Sequence, residues 1–126
     1  MSDVINTSAA PAAIGPYSQA MKVGNFIFTS GQLPLSPSTG EMPQSIQEQT
    51  KQSLLNVKTI LESAGVSMKQ VVKTTVFLSD LANFAPMNEV YSSFFEEPFP
   101  ARSCFEVARL PKDALVEIEV VATSET

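Results

Sequence analysis

The sequence contains no histidine and only one cysteine, Cys104, among its 126 residues. A lone cysteine excludes a disulfide bond within the chain. The absence of histidine excludes ordinary zinc sites built from Cys and His, and also catalytic triads or general bases that use an imidazole. Any catalysis by this chain must therefore use other side chains.

Long apolar runs and basic clusters are also missing. No apolar run approaches the ~20 residues of a membrane helix, and the N-terminus lacks the charged and apolar regions of a signal peptide. The formal charge is -5, and the eight Lys and Arg residues are scattered along the chain. Because phosphate contacts supply most non-specific affinity for nucleic acids, a broad basic binding surface is excluded. We expect a soluble cytoplasmic protein with neither a membrane nor a nucleic acid as partner.

The composition, with 44% hydrophobic and 17% charged residues, fits one folded domain over residues 1–126, with disorder only at the two ends. In the first third, β-branched and aromatic residues at 20–22 and 26–30 flank the turn Gly24-Asn25 and predict a hairpin. A short strand is also predicted at Glu41 and Met42.

Two amphipathic helices are predicted. The first begins after Ser45, and Gly65 stands where a C-terminal cap belongs. The second runs from about Phe84 to Phe95, with Asn83 as its candidate cap. The stripe of the first helix comprises Ile46, Thr50, Leu54, Val57, Leu61 and Ala64, and that of the second comprises Phe84, Met87, Tyr91 and Phe94.

Extended segments follow each helix, at residues 72–78, 100–107 and 115–122. The first of these is apolar on both faces, with Val72, Val76 and Leu78 on one and Val71 and Phe77 on the other. The order of elements predicts an α+β domain of two layers, in which two helices cover one face of a mixed sheet. Because the second face is not simply polar, we also expect a homo-oligomer.

The most informative stretch is Pro100-Ala101-Arg102-Ser103-Cys104-Phe105-Glu106-Val107-Ala108-Arg109-Leu110-Pro111, followed by Val116-Glu117-Ile118-Glu119-Val120. Alternation along a strand places Arg102, Cys104 and Glu106 on one face. The positions expected to face a core are Phe105 and Val107. Glu117 lies in a run so apolar that we expect its carboxylate to leave bulk water in part. A half-buried carboxylate near an arginine is a candidate site, and the planar fork of Arg102 suits a small carboxylate-bearing metabolite.

Three other segments carry motifs that belong with this block. They are Ala9-Ala10-Pro11-Ala12-Ala13-Ile14-Gly15-Pro16-Tyr17-Ser18-Gln19-Ala20, Phe28-Thr29-Ser30-Gly31-Gln32 and Val72-Lys73-Thr74-Thr75-Val76-Phe77-Leu78. Each motif alone is weak. In this order, and ending in the Pro-Ala-Arg-Ser block with its downstream Glu-Ile, they closely resemble the RidA family of enamine and imine deaminases, also called the YjgF family.

The resemblance implies a homotrimer of chorismate-mutase-like subunits, with active sites in clefts between neighbours and no metal or organic cofactor. It implies that Arg102 binds the substrate carboxylate and that Glu117 orients water or moves protons. The other residues that it places at the cleft are Tyr17, Ser30, Gly31, Asn88 and Cys104. The implied reaction converts 2-aminoacrylate, 2-aminocrotonate and their imines into 2-keto acids and ammonia.

Ordinary structural readings exist for each of these positions. Arg102 could form a salt bridge to Glu106 or Glu117, and Glu117 could be an exposed strand residue. Cys104 is as readily a small buried hydrophobe, although a nearby arginine would make its thiol more reactive. Tyr17 could be a loop anchor and Asn88 a plain surface residue. Glu119 does not match the family and is expected to be structural or solvent-facing.

One segment departs from the family pattern. Only Glu96-Glu97-Pro98-Phe99 separates Phe95 from Pro100, which is shorter than we expect in many deaminase relatives, so substrate preference is less defined than the chemistry. Two other functions stay open. One is a regulatory protein that binds a metabolite and needs only the arginine. The other is a translation-inhibiting endoribonuclease, against which the acidic charge and the absent histidine count.

Overall fold

The computed structural model describes residues 2–125, which form a six-stranded sheet with two helices on one face. The strands are β1 (Ser2–Ile5), β2 (Ala20–Val23), β3 (Phe26–Thr29), β4 (Val71–Leu78), β5 (Ala101–Glu106) and β6 (Val116–Thr123), and the helices are α1 (Ile46–Ser63) and α2 (Phe84–Ser92). The sheet order is β1-β2-β3-β6-β4-β5, with β4 and β5 parallel and the other neighbours antiparallel. The predicted fold class, an α+β domain with a mixed sheet and two helices on one face, is confirmed.

Helix α1 begins and ends where the sequence signals predict. The hydroxyl of Ser45 accepts a hydrogen bond from the Glu48 amide at 3.1 Å, which satisfies one of the free amides of the first turn. After the helix, Gly65 has a φ of 77°, a left-handed conformation that glycine adopts without steric cost. The apolar stripe of α1 packs onto β6 and α2.

Helix α2 is shorter than predicted. It is preceded by a 3₁₀ turn at Leu81–Asn83. Asn83 occupies the cap position of α2 as predicted, but its side chain makes no capping hydrogen bond. The preceding turn is capped by Asp80, whose carboxylate accepts from the Ala82 amide at 2.9 Å. The helix ends at Ser92, not at Phe95. The hydroxyls of Ser92 and Ser93 donate to carbonyls three residues earlier, and such local bonds compete with continued helix.

The two faces of the sheet differ in chemistry. Under the helices, the inward residues of β4 and β6, including Val76, Leu78 and Ile118, are fully buried. The other face is open, and 46% of Phe105 is exposed there, in edge-to-face contact with Phe77 at 5.3 Å between ring centroids. The expectation that Phe105 faces a core was therefore wrong. Arg102 and Cys104, which alternate with Phe105 along β5, are the residues that face the helix side.

Strand β4 contains an irregularity that alternation alone does not predict. Val71 pairs with Ala122 and Lys73 with Val121, so two residues of β4 span one step of β6. This bulge leaves Val71 buried and Val72 exposed. Val72 therefore does not share a face with Val76 and Leu78, contrary to the prediction.

Two further expectations about strands were wrong. Residues 41–42 form no strand; instead the Glu41 carbonyl accepts from the Ser36 amide at 2.8 Å and closes a turn. The N-terminal end is ordered as β1, which adds to the hairpin of β2 and β3. Of the ends expected to be disordered, residues 1 and 126 lie outside the described residues. No helix in the described part of the chain is long and apolar enough to cross a membrane.

Candidate functional site

Arg102 lies on β5 and points toward the helix layer. It aligns with Thr74 of β4, which is fully buried on that side. Its Nη1 donates to Oδ1 of Asn88 at 2.6 Å. Its guanidinium carbon lies 4.7 Å from the ring centroid of Tyr91 and 5.4 Å from that of Phe84, within the range of cation–π attraction. The structure thus brings together the predicted site residues Arg102 and Asn88.

No carboxylate pairs with Arg102 among residues 2–125. Glu106, one of the two partners considered for a structural salt bridge, instead accepts a hydrogen bond from the Leu81 amide at 2.8 Å. A cavity of about 400 Å³ opens beside the guanidinium and is lined by Asn88, Tyr91, Ser92, Phe99, Pro100 and Arg102. A partly buried cation with free donors at the edge of a cavity is suited to bind a small anion.

Cys104 lies two residues along β5 from Arg102, on the same side of the sheet, where it packs against the hydrophobic core. Burial raises the pKa of its thiol, and the positive charge of Arg102 offsets only part of this effect. Arg102 thus favours the thiolate in the expected direction, but burial outweighs it and the net shift is upward. Cys104 is not among the residues that line the cavity beside Arg102.

Glu117 lies on the other face of the sheet. It pairs with Phe77 of β4, whose side chain is on the open face with Phe105. The carboxylate is half-buried, and burial raises its pKa, with a further contribution from the negative charge of Glu119. A rise brings the pKa of a carboxyl group closer to neutral pH, which is the direction of shift that favours a general acid or base.

The carboxylate of Glu117 occupies the space beside Gly31 where any other residue would carry a side chain. A Cβ atom built on Gly31 would collide with Oε2 of Glu117 and lie 2.8 Å from its Cδ. The neighbouring bridge between Gln32 and Ile118 fixes this approach, with the Gln32 amide donating to the Ile118 carbonyl at 2.8 Å. The structure therefore brings together the predicted residues Gly31 and Glu117.

Tyr17 and Ser30 belong to the same region as Gly31. The Ser30 hydroxyl donates to the Ser18 carbonyl at 2.6 Å and so ties the loop that carries Tyr17 to the end of β3. The ring of Tyr17 is 53% exposed. A cavity of about 330 Å³ in this region is lined by Pro11, Ala12, Ile14, Tyr17, Gln19, Gly31, Gln32, Leu33, Leu35 and Lys112.

The predicted site residues therefore form two groups in one chain. Arg102, Asn88 and Cys104 lie on the helix side near β5, whereas Glu117, Gly31, Ser30 and Tyr17 lie around the end of β3 and the open face. A third cavity, of about 590 Å³, is lined by none of them, because it lies between α1 and the segment that follows α2.

Sequence reasoning missed the roles of three residues near these groups. Tyr91 was placed on the buried stripe of α2, although it also contacts Arg102. Gln19 is buried and donates to the Pro11 carbonyl at 2.8 Å, which holds the loop around the second cavity. Lys112, with a φ of 59°, lines that cavity from a strained turn. The position of Gln19 inside a motif was a sequence signal for its role, but no local signal marked Lys112.

The chain was compared with known proteins. Residues 7–124 match the profile of the family described as Endoribonuclease L-PSP. A RutC family protein of Pyrococcus abyssi is 58% identical over 124 residues, covering 98% of each chain. A protein of Escherichia coli named 2-iminobutanoate/2-iminopropanoate deaminase is 56% identical over 125 residues, covering 97% of this chain and 98% of its own.

The fold is also similar to that of a solved relative. The crystal structure of E. coli TdcF with bound serine superposes with a TM-score of 0.94 at 50% sequence identity, covering 98% of this chain and 99% of that one. The likeness therefore spans the whole fold, including both groups of site residues.

Proposed function

The chain belongs to the Endoribonuclease L-PSP family, the RidA or YjgF proteins, and we propose that it is a deaminase that hydrolyses 2-imino acids and their enamine tautomers to 2-keto acids and ammonia. The observation that carries this proposal is the cavity beside Arg102, a cation with free donors and no carboxylate partner among residues 2–125. Its substrates are 2-aminoacrylate and 2-aminocrotonate, which dehydratases acting on serine and threonine release, and their imines. We assign this reaction to the cytoplasm, where such dehydratases act.

In the proposed mechanism, Arg102 binds the substrate carboxylate and so fixes the position of the imine carbon. The enamine first takes a proton at carbon and becomes the iminium ion, which is the protonated imine. Glu117, as carboxylate, orients a water molecule and accepts one of its protons while the oxygen attacks the iminium carbon, which gives a neutral carbinolamine. Glu117 then returns this proton to the nitrogen, the C–N bond breaks and ammonia leaves with the bonding electrons. The hydroxyl loses its proton to the departing ammonia as the carbonyl forms, so the products are the 2-keto acid and ammonium.

The imine is already reactive in water, so a modest enhancement suffices. Orientation of the substrate, together with one positioned acid/base group worth about 100- to 10,000-fold, accounts for the catalysis that the protein has to supply. The raised pKa of Glu117 supports this role. A group that both accepts and returns a proton works best when its pKa is near the ambient pH, and the shift is in that direction.

We propose further that the active site forms between copies of this chain in a homotrimer. Arg102 faces the helix layer and Glu117 the open face, so a substrate that contacts both needs a second copy of the chain. The open face supports this proposal, because Phe26, Phe28 and Phe105 are each nearly half exposed there. Exposed apolar patches of this kind usually mark association surfaces.

The roles of the remaining site residues are also proposals. Tyr17 forms a wall of the cleft, and Ser30 and Gly31 hold the loop and the carboxylate of Glu117 in place. Asn88 fixes the guanidinium of Arg102 through its 2.6 Å hydrogen bond. Cys104 lies outside the cavity of the single chain, and we propose that it lines the cleft between copies as a neutral thiol, which is consistent with its raised pKa.

Serine dehydratase provides the test, because it generates 2-aminoacrylate in place and pyruvate can be followed as the product. We expect the wild-type protein to accelerate pyruvate formation and Arg102→Ala to lose that acceleration. Arg109→Ala is the matched control, since Arg109 is an exposed arginine paired with Asp113 at 2.8 Å and lies outside both cavities. If neither the wild type nor Arg109→Ala accelerates the reaction, the deaminase proposal is wrong, and binding of pyruvate would then favour a metabolite-binding regulator.

We propose imine hydrolysis rather than RNA cleavage, although the family description names an endoribonuclease. The formal charge of -5 supports this choice, since RNA binding depends on neutralising phosphates. The absence of histidine supports it as well, because histidine is the side chain used most often as a general acid or base. Cleavage of RNA that falls steeply with salt and disappears in Arg102→Ala would contradict it. Cleavage that Arg102→Ala leaves unchanged would indicate a contaminating nuclease.

A further inference from the structure

Three side chains of α2 contact the guanidinium of Arg102: Phe84, Asn88 and Tyr91. Their spacing of four and then three residues places them on one face of the helix, one turn apart. A single rigid element therefore presents two aromatic rings and one amide oxygen to the same cation.

The faces of the two rings attract the cation without using its hydrogen-bond donors, although the hydroxyl of Tyr91 also lies close enough to Arg102 to interact with one of them. A guanidinium carries five N–H groups, and the side chain of Arg102 uses one of its nitrogens, Nη1, to bond Asn88. An aromatic ring attracts the guanidinium through its face, so the N–H edge stays available. A carboxylate in place of the rings would occupy that edge and exclude an anionic ligand.

Tyr91 is held more firmly than Phe84. Its hydroxyl shares a buried 2.7 Å hydrogen bond with Oγ1 of Thr74, and its ring lies 4.6 Å from that of Phe95 between centroids. Tyr91 is 6% exposed, whereas Phe84 is 38% exposed. Burial raises the pKa of the Tyr91 phenol, so the ring stays neutral at ordinary pH.

Thr74 completes the arrangement because it is the direct neighbour of Arg102 across the parallel pair of β4 and β5. The strand that aligns the arginine backbone thus also anchors the ring that holds the arginine side chain. Thr74 therefore positions the backbone of Arg102 directly and its guanidinium through Tyr91.

We propose that Tyr91 is a positioning residue for substrate binding: its ring, locked by Thr74, holds the guanidinium of Arg102 so that the free N–H edge faces the substrate carboxylate. This inference rests on the proposed function, because it takes the substrate carboxylate as the ligand of Arg102. Tyr91 acts through Arg102 and does not need to touch the substrate.

The first test compares Tyr91→Leu, which removes the ring, with Phe94→Leu, which removes a ring of the same segment that packs on the core and is not in ring contact with Tyr91 or the guanidinium. We expect Tyr91→Leu to raise KM for 2-aminoacrylate at least about fivefold with kcat nearly unchanged, the range that a cation–π contact supplies. Phe94→Leu should lower the melting temperature while leaving KM near the wild-type value. Equal effects of the two variants on KM would overturn the proposal, because they would indicate only a loss of packing.

A second variant keeps the inference testable if Tyr91→Leu does not fold. The double variant Thr74→Val with Tyr91→Phe keeps both volumes and removes both hydrogen-bond partners together, which costs little stability. It leaves the ring in place but unlocked. We expect KM to rise about two- to threefold, a loss smaller than the full cation–π contact. A KM equal to that of the wild type, in a protein of unchanged melting temperature, would show that the lock has no role.

A binding measurement separates failure of this inference from failure of the proposed function. Titration calorimetry with pyruvate reports carboxylate binding without turnover. If the wild type binds pyruvate but produces no acceleration, the deaminase proposal fails. Weaker pyruvate binding by Tyr91→Leu than by Phe94→Leu would still support the positioning role. Equal binding by the two variants would overturn it.

Discussion

Arg102 and Glu117 lie on opposite faces of the same sheet. Arg102 aligns with Thr74, whose side chain is buried beneath the helices, and Glu117 pairs with Phe77, whose ring is on the open face. Because successive residues of a strand alternate between faces, these two side chains cannot converge on one small substrate from a single chain without refolding. If both act on the same imine, they come from different copies.

Subunit mixing tests this consequence. Arg102→Ala and Glu117→Gln should each be inactive alone. If the proposed trimer forms, reassembly from an equal mixture should restore about a quarter of the wild-type rate, which is the share of interfaces that combine an intact Arg102 with an intact Glu117. The measurement is pyruvate formation after denaturation and joint refolding. Variants refolded separately and then combined serve as the control, and no recovery in the jointly refolded sample would contradict a shared site.

Removing the charge of Glu119 should shift the titration of Glu117. The negative charge of Glu119 is one of the two causes that raise the Glu117 pKa, after burial. Glu119→Gln should therefore lower the Glu117 pKa, and the carboxyl carbon signal of Glu117, followed by NMR in glutamate-labelled protein, should titrate at lower pH. Glu41→Gln removes the same charge from an exposed loop and should leave the midpoint in place. An equal shift in both variants would show that the Glu117 pKa responds to the net charge of the protein and not to its neighbour Glu119.

The half-buried carboxylate of Glu117 should cost stability at neutral pH. Its folded-state pKa is raised, so between the unfolded and folded values the folded protein binds more protons, and stability falls as pH rises through that window. Glu117→Gln is neutral at every pH and removes this loss. Its free energy of unfolding in urea, relative to the wild type at equal protein concentration, should be higher at pH 7 than at pH 4.

The same experiment responds to the proposed interface. Arg102 from a neighbouring copy would favour the charged form of Glu117 and oppose the effect of burial. The gain from Glu117→Gln at pH 7 should therefore be larger in an Arg102→Ala background. A gain that is independent of pH in both backgrounds would show that the titration of Glu117 is not coupled to folding.

The sequence predicted those parts of the fold that depend on local pattern. Helix α1, with Ser45 as its cap and Gly65 after its end, follows from apolar spacing and capping chemistry within one segment. The exposure of Val72 could not be predicted in this way, since the bulge is set by the register between β4 and β6. That register is a property of two segments far apart in the chain.

The candidate site shows the same division. Motif resemblance identified Arg102 and Glu117 but did not indicate which way each side chain points. The direction of Arg102 follows from the register of β5 against β4, which aligns it with buried Thr74 and places Phe105 beside Phe77 on the open face. The contact between Tyr91 and Arg102 needs the packing of α2 against β5, which no spacing within either element encodes.

Gly31→Ala should disable the site through Glu117 alone. The new methyl group would collide with the Glu117 carboxylate, and a displacement of a catalytic group by about 1 Å can cost on the order of 100-fold in rate. Unfolding in urea should show a loss of stability in the wild-type background and none when Glu117→Ala is also present, because the double variant removes the colliding atoms. Gly40→Ala is the contrasting control: its Cβ meets nothing within 4 Å, but its φ of 74° imposes backbone strain of about 1 kcal/mol whatever residue stands at 117. A stability loss in Gly31→Ala that persists with Glu117→Ala would show that the backbone, not the carboxylate, requires glycine at this position.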